Sequence, residues 1–303
     1  MPSTSPTRAD ALDLVEAISA ALDVEIASTA RLGGGDVAEA FRFELADDRA
    51  IFVKTHRDPP AHFFTTEAAG LDWLAAARAV SVPDVLSVSD GHGSTPPYLA
   101  LRWIDAVGRT AVRSEASFGR DLARLHRAGA PHFGRADRRA TGSRALPNEP
   151  CDSWAEFFST QRLDPLCRLA ADAGALPATT VAAIGRIADR LDDLGGASEP
   201  PARLHGDLWA GNRLVDDAGT SWLIDPAAHG GHREFDLAMM RLFGGFGTAC
   251  FEAYDDEFPL AGGWQERVPL HQLAPLIVHA IKFGGRYVSA TDDASRSVLE
   301  HMS

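Results

Sequence analysis

Most of what this chain says about itself hangs on His205-Gly206-Asp207-Leu208-Trp209-Ala210-Gly211-Asn212, followed by Ile224-Asp225-Pro226. Asn212 stands five residues after Asp207, and Asp225 thirteen after Asn212. Between them, Arg213-Leu214-Val215 and Trp222-Leu223-Ile224 read as short strands around the turn Asp216-Asp217-Ala218-Gly219. A hairpin of that length brings Asp225 back beside Asn212. Phosphoryl transfer from ATP needs a carboxylate near the acceptor hydroxyl and oxygen ligands for Mg²⁺. Asp207 suits the first role, Asn212 and Asp225 the second. Singly, these residue types are also turn formers; it is their order around one hairpin that carries the argument.

The Asp-to-Asn spacing is that of a kinase catalytic loop, and the upstream sequence supplies the rest of such a site. Lys54 ends the strand Ile51-Phe52-Val53-Lys54, where a lysine can pair with the α/β phosphates of ATP. A helix expected over Phe63 to Val80, stopped before Pro83, carries Glu67 to hold that lysine, with Leu71 and Leu74 beneath it. Phe41, Phe43 and Leu45 alternate in the preceding strand, closed by the turn Asp47-Asp48. Ahead of it, Gly33-Gly34-Gly35 makes a turn whose backbone N–H groups could approach phosphates. Two further strands are expected at Val85–Val88 and Tyr98–Trp103, and a first helix over Asp10–Leu22.

Past Ile104 the pattern turns helical: Phe118, Leu122 and Leu125; Trp154, Phe157, Phe158 and Leu163; Val181 through Leu194; then Phe235 to Leu299 apart from a loop near Pro259–Gly263. Arg135 to Pro150, rich in Arg, Gly and Pro, reads as a long loop. The expectation is an α+β, two-lobed chain, with a small β-rich lobe over 1–103 and a larger helical lobe over 104–303. Their hinge should fall between Leu101 and Asp105.

The composition agrees with that picture. With 303 residues and 45% hydrophobic side chains, a normal core can form without metals or disulfides. A net charge of −13 argues against a nucleic-acid partner. No run approaches the length of a membrane helix, and no secretory leader is visible, so a cytoplasmic protein is expected. Cys151, Cys167 and Cys250 are scattered and read as reduced thiols. Of 29 basic residues only Lys54 and Lys282 are lysines, a bias that GC-rich codon usage explains.

Around the loop, His205 reads as a structural histidine bonding the loop backbone. Asp236 either caps a helix or braces the loop. Trp209, beside the proposed base, either stacks on a sugar or belongs to the core.

Taken together, these residues resemble the fructosamine kinases, or ketosamine-3-kinases, relatives of the aminoglycoside phosphotransferases with a protein-kinase-like fold. The resemblance runs from about Leu32 to Val288. It is carried by His205 to Asn212, Asp225-Pro226-Ala227, Gly231 to Met239, Trp154 to Leu163, and Lys282-Phe283-Gly284-Gly285. It implies ATP-dependent phosphorylation of the 3-hydroxyl of a sugar attached to an amine as a ketosamine, free or protein-bound, after which the product decomposes and frees the amine. It further implies Asp207 as proton acceptor, Asn212 and Asp225 as Mg²⁺ ligands, Lys54 with Glu67 as the phosphate-positioning pair, and Arg102-Trp103-Ile104 as the backbone hinge against adenine. An aminoglycoside or choline kinase of the same superfold, or a non-catalytic nucleotide-binding scaffold, are the alternatives. The glycine turn carries no cysteine, so disulfide-linked regulation is not implied and a monomer is favoured. Phe133 to Gly142 departs from the family pattern, which leaves that segment without an assigned role.

Overall fold

The computed structural model describes residues 8–33, 38–108, 114–137, 140–141, 145–194 and 199–301. Helix α1 (Arg8–Leu22) leads into strands β1 (Ile26–Leu32), β2 (Glu39–Leu45) and β3 (Ala50–Thr55), then α2 (Phe63–Ala75), β4 (Val85–His92) and β5 (Thr95–Arg102). The strands form one antiparallel sheet in the order β1-β2-β3-β5-β4. Alternation along β3 explains its two faces. Ile51 and Val53 point to a core with Phe43, Tyr98 and the α1 residues Leu14 and Ile18. Phe52 and Lys54 turn the other way, toward the cleft.

After Asp105, β6 (Ala106–Gly108) belongs to a different sheet, pairing with the first strand of the hairpin between Asn212 and Asp225. Helix α3 (Glu115–Arg127) follows, then the two-residue strands β7 (Ala140–Thr141) and β8 (Leu146–Pro147), and helices α4 (Trp154–Phe158), α5 (Asp164–Asp172), α6 (Ala178–Ala188) and α7 (Leu191–Leu194). A π turn over Ser159–Leu163 joins α4 to α5. The segment from His205 to Asp225 lies among β9 (Ala202–Leu204), β10 (Arg213–Asp216), β11 (Ser221–Leu223) and β12 (His229–Gly231). Helices α8 (Glu234–Phe243), α9 (Thr248–Glu257), α10 (Trp264–Phe283) and α11 (Arg286–His301) complete the chain.

The structure differs from the sequence expectation in three places. Helix α2 stops at Ala75, not Val80, because Arg78 takes a left-handed backbone (φ 53°) that the helix cannot continue through. The stretch expected as loop over 135–150 contains the β7–β8 ladder, and Phe133 and Gly134 just before it bridge to Cys151 and Gly230. Strands β1 and β6 and the pair β9–β12 have no counterpart in the expected elements; β6, β9 and β12, of three residues each, are too short for alternation to register, and β1 is an edge strand exposed along most of its length, with no alternation to read. Among the described residues, no helix is long and apolar enough to cross a membrane.

Candidate active site

Strand β9 delivers the chain to the loop, and Gly206 makes the turn with φ 81°. A β-carbon there would lie 2.2 Å from the Ala227 carbonyl oxygen, so only glycine passes. Asp236, fully buried in the first turn of α8, accepts hydrogen bonds from His205 N (2.8 Å) and Gly206 N (2.9 Å). Lying inside the helix, it braces the loop rather than capping α8. Its third partner is His126 Nε2 of α3, 3.2 Å away, while His126 Nδ1 meets the Tyr254 hydroxyl at 2.8 Å. Burial works to raise the Asp236 carboxyl, but the His126 hydrogen bond and charge, His205 and Gly206 N–H hold it below the usual carboxylate range.

His205 ties the two halves of the motif together. Its Nδ1 accepts from Asp207 N–H (3.2 Å), which leaves Nε2 to donate to the Ile224 carbonyl (3.0 Å) next to Asp225. Burial lowers its pKa, so the ring stays neutral in this role. Asn212 closes the loop from the far side: its amide donates to the Asp207 carbonyl (2.8 Å) and to Asp207 Oδ2 (3.1 Å). Ile224 N in turn donates to Asn212 O at 3.0 Å. Asp207, Asn212 and Asp225 are thus brought together as the spacing required. Burial, with Asp225 and Asp236 nearby, pushes Asp207 up to about 7 against the pull of Asn212 and Lys282.

From the sheet side, Lys54 Nζ lies 2.7 Å from Glu67 Oε1 and 2.7 Å from Asp225 Oδ1. Burial opposes its charge, yet the two carboxylates outweigh it and raise Lys54 above its ordinary value. Asp225 adopts φ 56°, a left-handed conformation that Asp tolerates better than most side chains. With the Asn212 amide committed to Asp207, its Oδ1 and the Asp225 carboxylate are the hard oxygen donors suited to Mg²⁺.

Next to these groups a cleft is lined by Phe52, Leu101, Trp103, Ile104, Leu214 and Ile224, together with Arg102 and Asp225. The expected hinge residues therefore border one apolar slot. Within the hinge, Arg102 N–H is taken by the Asp84 carbonyl and the Ile104 carbonyl by Ala106 N–H; the Trp103 indole donates to Asp105 (2.8 Å). Trp209, 38% exposed, packs edge-on to Phe243. Gly33 directly follows β1, with open space around it; Gly34 and Gly35 lie outside the described residues.

Sequence reasoning found His205 and Asp236 but missed the more distant supports. His126, on the buried face of α3 one residue after Leu125, was findable as a histidine within an apolar stripe. Arg213, next to Asn212, is fully buried and pairs with Glu115 at 2.5 Å and with Ser114 and Ser221; no local pattern announces a partner so far away in sequence. A second group, His232, Glu234 and His271, has metal-ligand chemistry. There Arg267 forks onto both Glu234 oxygens (2.5 and 2.8 Å), and His232 Nδ1 accepts from Glu234 N–H. The carboxylate's charge is already met by a guanidinium, and the cluster is a structural ion pair.

A small antiparallel sheet over a helical lobe, with an Asp–Asn–Asp constellation facing a buried Lys–Glu pair, defines a phosphotransferase of the protein-kinase-like class. Known proteins narrow this. The sequence signature of the fructosamine kinase family matches residues 13–301, and the chain belongs to that family. It is 36% identical over 260 residues to the probable ketoamine kinase of Enterococcus faecium, covering 86% of this chain and 91% of the relative. A solved structure from Thermobifida fusca, provisionally named a fructosamine-3-kinase, superimposes with a TM-score of 0.86 at 40% identity, over 94% of this chain and 98% of that one. An aminoglycoside phosphotransferase, at a TM-score of 0.67 and 14% identity, shares the fold.

Proposed function

We propose that this chain transfers the γ-phosphoryl group of ATP to the 3-hydroxyl of a ketosamine. The observation that carries the reading is the Asp207 carboxylate, fixed 3.1 Å from Asn212 and set across the loop from the Lys54–Asp225 pair. In the reaction the acceptor oxygen bonds to the γ-phosphorus as the β,γ-bridging bond breaks and ADP departs. Asp207 orients the hydroxyl and accepts its proton, mostly late in transfer. Lys54, steadied by Glu67, pairs with the phosphates. Asn212 and Asp225 would hold Mg²⁺, whose charge offsets that of the phosphates when it is bound. The apolar slot and the 102–104 backbone take adenine, while Trp209 offers a ring face to the sugar. In this reading the lobes divide between 103 and 104, with one copy of the chain supplying every group, so the active unit is a monomer. The free thiols of Cys151, Cys167 and Cys250 suit a reducing, cytoplasmic setting. Ketosamine relatives support the acceptor class, and the repair of glycated amines follows from it.

ADP release with Mg-ATP against ribuloselysine, fructoselysine, an aminoglycoside and choline tests the proposal. Turnover on a ketosamine that is lost in Asp207→Asn is the expected result. Turnover confined to the aminoglycoside or choline would keep the chemistry and overturn the acceptor. ATP binding with no turnover on any of them would leave a scaffold.

A further inference from the structure

Helix α2 is tied to the helical lobe along the same face that carries Glu67. Glu67, Gly70 and Trp73 follow one another at three-residue spacing. At Gly70 the helix lies directly on the segment leaving Asp225: a β-carbon there would stand 3.4 Å from both Pro226 Cγ and Ala228 Cβ. One turn further, two guanidinium groups sit against the Trp73 ring, Arg203 at 4.6 Å and Arg135 at 5.3 Å from its centroid. Arg203 Nη1 also donates to the Trp73 carbonyl (2.5 Å) and Nε to the Gly129 carbonyl (3.3 Å). Arg135, itself buried, reaches the Ala69 carbonyl of α2 (3.5 Å) and the Ala228 carbonyl (3.4 Å), with Asp137 pairing its charge at 2.5 Å.

The places these bonds come from give them meaning. Arg203 lies in β9, four residues before Asp207, and Ala228 lies three residues after Asp225. The C-terminal turn of α2 is therefore fastened both to the strand running into the catalytic loop and to the segment running out of the metal-side acid. Bringing two cations together costs free energy: burial and then Arg135 lower Arg203 below the usual arginine range. An apolar contact would cover Trp73 without that cost. A planar stack on the indole plus a forked grip on carbonyls fixes direction as well as distance, which an apolar contact does not.

We propose that Arg203 and Arg135, gripping Trp73, are positioning residues that hold α2 in register with the catalytic loop, so that Glu67 and Lys54 stand in place before ATP binds. This rests on the reading of Lys54 and Glu67 as the phosphate-positioning pair. It also gives the segment after Phe133 a role on the nucleotide side, away from the acceptor.

The test is steady-state kinetics of the full chain with Mg-ATP and a ketosamine. Trp73→Ala and Arg203→Met are expected to raise KM for ATP about tenfold, the scale of one desolvated cation–π contact with its hydrogen bond. KM for the ketosamine stays within about twofold, a split that general loss of stability would not produce. Trp73→Phe, which keeps a ring face, recovers most of the ATP effect. Lys54→Met run alongside separates the two layers of the argument. If it collapses kcat/KM for ATP while Trp73→Ala changes nothing, the clamp is overturned and the pair stands. If Lys54→Met is itself silent, the pair falls, and the clamp with it. Should Trp73→Ala fail to fold, Arg203→Lys keeps the charge and loses the planar stack. Amide exchange over 64–75 should then quicken while exchange in α8 does not; unchanged exchange in both would overturn the proposal.

Discussion

Asp207 and Lys54 both neighbour Asp225 but are fixed by different means. Around Asp207 the bonds are to the backbone: Asp236 takes two successive N–H groups, His205 links Asp207 N–H to the Ile224 carbonyl, and Asn212 holds the Asp207 carbonyl. Around Lys54 they run from side chain to side chain, one ammonium between two carboxylates. A loop held by its backbone keeps its shape when one side chain changes. An ion pair is only as well placed as the helix and strand that carry it. In the proposed reading the acceptor side is thus rigid by construction, and the nucleotide side depends on how α2 is seated.

Three substitutions and one titration would break or sharpen that contrast. The largest effect expected is on turnover: Asp207→Asn should lower kcat about 10²–10⁴-fold with ATP affinity retained, because only the 3.1 Å bond from Asn212 reaches the altered carboxylate while the loop's other bonds run through the backbone. The variant's Kd for ATP, measured by direct titration beside the kinetics, checks the second half. Asp236→Ala attacks the backbone bracing itself. It strands two buried N–H groups and His126, and should cost about 3–5 kcal/mol in urea unfolding. A loss below about 1 kcal/mol would show that the loop holds itself. On the other side, Lys54→Met should lower kcat/KM for ATP about 10²-fold in steady-state kinetics, the scale of one charged phosphate partner.

The smallest effect is a pH-dependent gain. Asp207 is raised to about 7 in the folded chain, so the folded protein binds that proton more tightly than the unfolded one. Its contribution to stability is present at acid pH and is lost as pH rises from the ordinary carboxylate range through about 7. Asp207→Asn removes the charge, so it should raise Tm by about 2–4 °C at pH 8 and by little at pH 5. An equal shift at both would mean that Asp207 is not strained by its surroundings.

How much of this was legible in the sequence follows the same division. The catalytic loop is eight consecutive residues, and its partner acid returns over a short hairpin, so spacing alone brought Asp207, Asn212 and Asp225 together. Lys54 and Glu67 could be paired because a strand end and the next helix are local. What spacing does not carry is contact between elements far apart in the chain. His126 reaches Asp236 across 110 residues, Arg203 reaches Trp73 across 130, and Arg213 reaches Glu115 across 98. Each is a polar side chain in a helix or strand whose apolar neighbours dominate the pattern. In the stretch expected as the hinge, Leu101 to Asp105, β5 ends at Arg102 and the chain passes toward β6, which begins at Ala106 in another sheet. The end of α2 was overrun because no residue before Pro83 announces the left-handed turn at Arg78.

The setting of Lys54 also bears on the protein as a target of sugar. Glycation begins when a neutral amine offers its lone pair to a carbonyl carbon. An amine kept as ammonium between Glu67 and Asp225 has no lone pair to offer, and it is buried besides. Since the chain has only one other lysine, its side-chain stock of reactive amine comes down to the exposed Lys282. A protein that works on glycated amines would then offer few of its own for the damage it removes.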